Sequence, residues 1–408
     1  MFIRLVATFI ALLICSCVWT NSDDSPDYLT IDDSEYPYAN LPRMVIETED
    51  FAQIRDRKTE LPAKMQIYGE KSPESEILDL TIRGRGNSSF TGMPKPSYSI
   101  EFQKKQEMFG MPKDKNWALI ANSADKTLLK NFITYKLARW LGAKYSPRGT
   151  FVELYLNRQY QGVYLLTETI KVGYHRVNIP KTEGSFLLER GPTEYGDEHF
   201  VITEKGTTFC IVSPKEPNYN DITQIKNVLS DFENFLNGEA PDKTIHDYLD
   251  LESYLRFYWI QELSKNMDGA FKRSIYLTWQ QDSLIQFGPI WDFDVAYGNW
   301  TTDSLRTPVN WYIRPSGWNK LIFNHDEYWQ NAKDYWKEHR TLFVTLPDSI
   351  SKYAKDLSLA AENEFKRWPV LQNTENWTYK EAYNSYSEAI DSLNSWTTQR
   401  FNWIDKSL

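Results

Sequence analysis

The chain has 408 residues, is 41% hydrophobic and 15% aromatic, and carries a formal net charge of −9. That content is ample for a large core, in one two-lobed domain or two small ones. The acidic balance excludes a general nucleic-acid binder, which presents a net basic face, and there is no helix-turn-helix cue, zinc spacing or arginine tract.

Residues 1–17 read as a targeting segment. Arg4 supplies the positive end, and Leu5 to Ile14 is an apolar run too short to span a bilayer. In Ile14-Cys15-Ser16-Cys17 a cysteine directly follows a small residue, as at a bacterial lipoprotein cleavage site, with Cys17 becoming the lipidated first residue. An ordinary cleaved secretory signal is the alternative. The expected address is an exported chain, lipid-anchored to a bacterial membrane. The acidic patch Asn21-Ser22-Asp23-Asp24 resembles a surface-export signal and points to the cell surface. Residues 18–40, rich in Ser, Asp, Asn and Pro, read as a disordered acidic tether. With Cys17 lipidated, Cys210 is the one thiol left, so no intramolecular disulfide can form.

From about residue 41 the pattern is globular, and residues 41–320 read as one domain with 321–408 as a helical extension packed on it. Met65–Tyr68, Ile77–Ile82 and Ser97–Phe102 alternate as strands do. Between the last two lies Arg83-Gly84-Arg85-Gly86-Asn87-Ser88, a turn whose glycines let backbone N–H groups approach an anion and whose arginines add forked charge. A plain β-turn explains the same residues. Lys95 enters the next strand, where a lysine can hold phosphate oxygens. Residues 126–141 have helical spacing and contain no Glu, so a carboxylate partner for Lys95 is sought at Glu153, Glu168 or Glu189, each of which also suits a structural ion pair. Phe151–Leu156 and Gln161–Thr167 flank a hairpin turn, Ser185–Glu189 is another strand, and 218–237 is helical.

Leu251, Leu255, Tyr258 and Leu263 set a helix from about Asp250 to Lys265, followed by a break carrying Asp268. Ser274–Trp279 and Leu284–Phe287 form a β-hairpin that leads to Trp291-Asp292-Phe293-Asp294. If that segment is extended, Asp292 and Asp294 face one side. Carboxylates at a core edge need partners, and a hard cation is a common one. Past Trp300 the chain turns helical, the last helix spanning roughly 376–404. The N-terminal half is thus β-rich and the C-terminal half helical, an α+β bilobal pattern.

Helix, Asp loop, hairpin and Asp segment in this order are the arrangement of a protein-kinase catalytic half. Together with Arg83-Gly-Arg-Gly-Asn87-Ser88, Asn116-Trp117-Ala-Leu-Ile-Ala121-Asn122, Lys130-Asn131-Phe132, Val152-Glu153-Leu154-Tyr155 and Tyr160-Gln-Gly-Val-Tyr164-Leu-Leu-Thr-Glu168, the chain resembles the CotH family of atypical, spore-coat-type protein kinases over about residues 44–320. The resemblance implies a kinase-like fold and transfer of the ATP γ-phosphoryl to a Ser or Thr of a protein, with Mg²⁺ or Mn²⁺. It assigns Asp268 and Asp292 as the essential acids, Asp292 on the metal, with Asp294 a second ligand. Arg83, Arg85, Gly86, Asn87, Ser88, Lys95, Glu153 and Glu168 become candidate nucleotide-binding residues. One departure stands out: where ordinary kinases place an Asn for a second metal, this chain has Arg273, followed by Ser274. The partners expected are ATP, an exported protein substrate and the membrane through the lipid. The competing reading is a non-catalytic surface or adhesion protein that keeps the fold and binds a nucleotide or glycan.

Overall fold

The computed structural model describes residues 29–191, 199–375 and 381–408. Seven strands come first: β1 (Arg43–Thr48), β2 (Leu61–Tyr68), β3 (Leu78–Arg85), β4 (Ser97–Met108), β5 (Met111–Ile120), β6 (Gly149–Leu156) and β7 (Gln159–Glu168). They close into a barrel in the order β1-β2-β3-β4-β5-β7-β6, sealed by the parallel pairing of β1 with β6. Alternation fills it: Leu80 faces Phe102 and Ile82 faces Ile100, which in turn pairs with Trp117, and all five are buried in the barrel core. Two short insertions leave the barrel, the single turn α1 (Ser88–Thr91) and α2 (Lys130–Trp140).

A second sheet follows, from β8 (Ser185–Arg190), β9 (Phe200–Ile202), β10 (Thr208–Ser213), β11 (Ile275–Gln280) and β12 (Gln286–Ile290), in the order β12-β11-β8-β10-β9. Around it lie α3 (Tyr219–Leu236), α4 (Leu251–Ser264), α5 (Asp303–Arg306), α6 (Gly317–Ile322), α7 (Asp326–Val344), α8 (Leu346–Arg367) and α9 (Tyr386–Ser407). The α+β class agrees with the sequence reading. Alternation disclosed neither the closure of the first seven strands into a barrel nor that the expected strands at 185–189, 274–279 and 284–287 join β9 and β10 in one second sheet.

α4 is the centre of the second half. Asp250 caps it, accepting the Ser253 N–H at 3.0 Å, and every residue from Ser253 to Ser264 is buried, as for a helix surrounded on all sides. It packs on β12, α2, α7 and α9. The C-terminal helices are tied in by buried charge. Arg400 of α9 meets Glu262 of α4 at 2.6 Å, both fully buried, and the same carboxylate accepts the N–H groups of Tyr312, Ile313 and Arg314 at 2.8–3.0 Å. No helix among the described residues is long and apolar enough to cross a membrane.

Two expectations are corrected. Residues 29–40 do not hang free as a tether. Leu29 is buried beside Tyr68 and Tyr155, its N–H donates to Gln66 at 2.9 Å, and Asp33 pairs with the buried Arg43. Apolar Leu29 and Tyr36 give this stretch something to bury, which a purely polar tether lacks.

The second correction is Lys95. Its ammonium lies 2.8 Å from both carboxylate oxygens of Glu364 on α8 and donates to the Val163 carbonyl, with both side chains buried. Glu364 also accepts the Val163 N–H at 2.6 Å. Gly162 makes room, because a Cβ there would sit 2.1 Å from Glu364 Oε2. Lys95 is therefore a brace between barrel and α8.

Removing one partner strands the other charge without compensation, a loss of about 3–5 kcal/mol. Lys95→Met and Glu364→Gln should each lower the urea midpoint accordingly, and Lys95→Met combined with Glu364→Leu should recover most of the loss. An unmoved midpoint in Lys95→Met would contradict the brace.

Candidate functional site

The site begins where α4 stops. Lys265 takes a left-handed conformation (φ 50°) and turns the chain out of the helix. Asn266 then works in two directions: its amide donates to the Asp292 carbonyl at 3.0 Å, and its oxygen accepts the Asp268 N–H at 3.3 Å. The Asp268 carbonyl accepts from the N–H groups of Lys272 and Arg273, closing a tight loop.

The acidic segment enters from β12, which ends at Ile290. Asp292 is left-handed (φ 68°), a conformation Asp tolerates better than most residues. The two aspartates are therefore not strand neighbours, as the period-two reading expected; a turn brings them together. Several backbone groups of the turn have fixed partners. Asn131 of α2 accepts the Phe293 N–H at 2.8 Å, Tyr297 N–H donates to Ser264 O at 2.7 Å, and Asn299 donates to Asp294 O at 2.7 Å and to Ala124 O at 2.6 Å. Phe293, fully buried, pins the segment into the core.

Asp268, Asp292 and Asp294 line one cleft of about 850 Å³. Burial pushes the Asp268 carboxyl up to about 7, the neighbouring charge of Asp292 adds to this, and Arg273 opposes it. Asp292 is raised by burial while a hydrogen bond with Asp294 and the charges of Arg85 and Arg273 pull it down. Asp294 lies well above the carboxylate range through burial and the Asp292 charge. Asp268 Oδ1 is buried without a hydrogen-bond partner, and lies 3.5 Å from Arg273 Nε.

Across the cleft stands the glycine turn. Arg83, Arg85, Gly86 and Asn87 line it, and Ser88 opens α1 beside them. Gly86 has φ 85°, and a Cβ there would lie 1.9 Å from Ser89 Oγ, so glycine is required. Arg83 donates to Arg57 O at 2.7 Å and Arg57 donates back to Gly86 O at 3.2 Å, stiffening the turn. Arg85 lies over the Trp291 ring at 5.1 Å, and Trp291 stacks on Tyr135 at 5.6 Å, so the turn and the acidic segment share one aromatic wall.

Three sequence candidates fall outside this cleft. Lys95 is spent on Glu364. Glu153 accepts from Tyr160 at 2.8 Å and Asn363 at 3.0 Å. Glu168 pairs with Arg148 at 2.7 Å and Arg176 at 2.6 Å. Each is buried, and each serves packing of the barrel against its neighbours. Glu189, also considered for Lys95, does line the cleft, next to Tyr276. Cys17 lies outside the described residues. Asn131 and Asn266 were not singled out as site residues, although Asn131 stands in Lys130-Asn131-Phe132; their roles are to backbone groups, which leave no pattern in side-chain chemistry.

Among the described residues, no group of three or more His, Cys, Asp or Glu side chains is arranged to hold a metal. The donor chemistry nonetheless fits a hard cation at Asp292 and Asp294. Mg²⁺ is usually held by one or two carboxylates with substrate phosphates and water completing the shell, so a full protein cage is not required. Such a charge would relieve the mutual repulsion of these closely set carboxylates.

Among known families, the model described as CotH kinase protein matches residues 82–404, most of the chain. The match extends through α9, well beyond the 44–320 over which the motifs carry the resemblance. No curated protein matches the chain.

The raised Asp268 carboxyl has a consequence for stability. Its folded value of about 7 exceeds the ordinary 3.8, so the stability it contributes is full below about pH 4 and is lost as pH rises through 7. The loss is on the order of 4 kcal/mol at 1.36 kcal/mol per unit. Asp268→Asn, which does not titrate, should therefore gain thermal stability over wild type between pH 4 and 7 and keep that gain at pH 8. Equal melting temperatures at pH 8 would refute the strain.

Proposed function

The chain belongs to the CotH kinase family, and from that premise we propose that it is an exported atypical Ser/Thr protein kinase, held to a membrane by lipid on Cys17. The single observation that carries the reading is the cleft itself: the carboxylates of Asp268, Asp292 and Asp294 on one wall and an arginine-glycine turn on the other. We take the barrel and the helical half as the two lobes of a kinase-like fold, with this cleft between them.

In this reading the acceptor hydroxyl oxygen attacks the γ-phosphorus of ATP. A new oxygen–phosphorus bond forms, the bond to the β,γ-bridging oxygen breaks, and ADP leaves. The hydroxyl proton passes to Asp268, whose raised affinity for protons suits a base working near neutrality. Asp292 and Asp294 would hold Mg²⁺ or Mn²⁺, which would supply neutralisation of phosphate charge. Arg83 and Arg85 offer forked donors to phosphate oxygens, and the backbone of Gly86 to Ser88 offers N–H groups. Positioning and charge are most of what phosphoryl transfer needs. Asn131, Asn266 and Asn299 act through the others, by holding the acidic segment in place.

A second reading has a specific observation behind it. Arg273 and Ser274 occupy the place of the kinase amide, which a non-catalytic nucleotide or glycan binder on this fold would tolerate.

The purified full-length chain should incorporate label from γ-³²P-ATP with Mg²⁺ or Mn²⁺, and Asp268→Ala and Asp292→Ala should reduce transfer at least ~100-fold. Thermal stabilisation by ATP and metal without label favours the binder, and robust transfer by Asp292→Ala contradicts the site. For the address, labelled fatty acid should enter the wild type and not Cys17→Ser.

A further inference from the structure

We propose that Arg273 supplies the positive charge that a second metal ion supplies in ordinary kinases, so that this site works with one divalent cation and one guanidinium. The inference rests on the phosphotransfer reading. Ordinary protein kinases hold their second ion with an Asn five residues after the catalytic-loop Asp. Here the stretch from Asp268 to Ser274 reads Asp-Gly-Ala-Phe-Lys-Arg-Ser, with no amide side chain anywhere in it.

Geometry puts a charge where the ligand is missing. The N–H groups of Lys272 and Arg273 both bond to the Asp268 carbonyl, at 3.0 and 3.3 Å, and this turn folds the Arg273 side chain back over its own loop. Its Nε comes to 3.5 Å from Asp268 Oδ1, the buried oxygen that has no hydrogen-bond partner. Arg273 lines the same cleft as Asp292 and Asp294. Arg273 is 45% exposed at the side chain while Asp268 is 8% exposed, so the guanidinium reaches from the buried acid toward the open cleft.

The chemistry matches the task. A guanidinium stays charged at any working pH and offers five N–H donors in a plane, which lets it meet a carboxylate and a phosphate oxygen together. One ion at Asp292 and Asp294 uses the acids present, and Arg273 balances Asp268. Arginines that stabilise transferring phosphoryl groups are worth roughly 10³–10⁵-fold elsewhere, so the contribution is large enough to replace an ion.

The test counts metal separately from turnover. Mn²⁺ is titrated into the full-length protein with a non-hydrolysable ATP analogue, and bound ion is counted from the free-ion paramagnetic resonance signal. The expected result is one Mn²⁺ per chain in the wild type and in Arg273→Leu alike. Phosphoryl transfer should fall at least ~100-fold in Arg273→Leu and return in part in Arg273→Lys. Because Arg273 is nearly half exposed, both variants should fold, which circular dichroism checks. Two Mn²⁺ per wild-type chain, or wild-type transfer by Arg273→Leu, would overturn the inference while leaving the kinase reading in place. Absence of both Mn²⁺ and analogue binding in the wild type would overturn the kinase reading, and this inference with it.

Discussion

The architecture of the site depends on how one acidic turn is held. Asp292 and Asp294 sit in a chain segment that is neither helix nor strand, yet several of its polar backbone groups have assigned partners. Asn131 reaches it from α2, Asn266 from the end of α4, and Asn299 closes it from its own far side. Buried backbone groups without partners are costly, so these amides do more than decorate the turn. They also allow carboxylates to be packed together in a desolvated place where their charges repel. The anchoring of Phe293 in the core supplies the offsetting burial. A site of this kind is strained before any ligand arrives, and a cation or proton relieves it.

Buried ion pairs carry the same logic to the outer parts of the molecule. Lys95–Glu364 ties the barrel to α8, and Arg400–Glu262 ties α9 to the central helix. Such pairs add little net stability over well-packed apolar residues, but breaking one half is severe. They therefore act as registration marks, setting where late-sequence helices sit against early strands. Glu262 shows this directly, since it holds Arg400 and three successive N–H groups of the strap from Tyr312 to Arg314.

Legibility of the sequence follows from the range of each interaction. α4 was readable to within a residue or two because its cap at Asp250 and its apolar spacing are local. The acidic loop and Asp segment were readable as a pair because they flank a short hairpin. Lys95 was misread because its partner lies 269 positions away on α8, and no local pattern records that. Closure of the barrel was invisible for a related reason: β1 and β6 pair in parallel across a hundred residues, and alternation says which face is buried without saying which strand lies next. The geometry expected at Asp292 and Asp294 is corrected as well. Their period-two spacing suggested a strand, whereas the left-handed backbone at Asp292 makes a turn.

Family membership and fold leave open how much of a kinase's apparatus one chain keeps, since function resides in the site. The local chemistry here is selective about what it keeps. Asp268 is buried and its carboxyl is raised in part by the charge of Asp292, whereas the usual amide position is given to Arg273. A cation stands 3.5 Å from the buried Asp268 oxygen, and three asparagines bond to the backbone of the acidic turn. Polar contacts of this kind fix one geometry in a desolvated place. In the phosphotransfer reading proposed above, the departure at Arg273 is a change in how negative charge is balanced across the cleft.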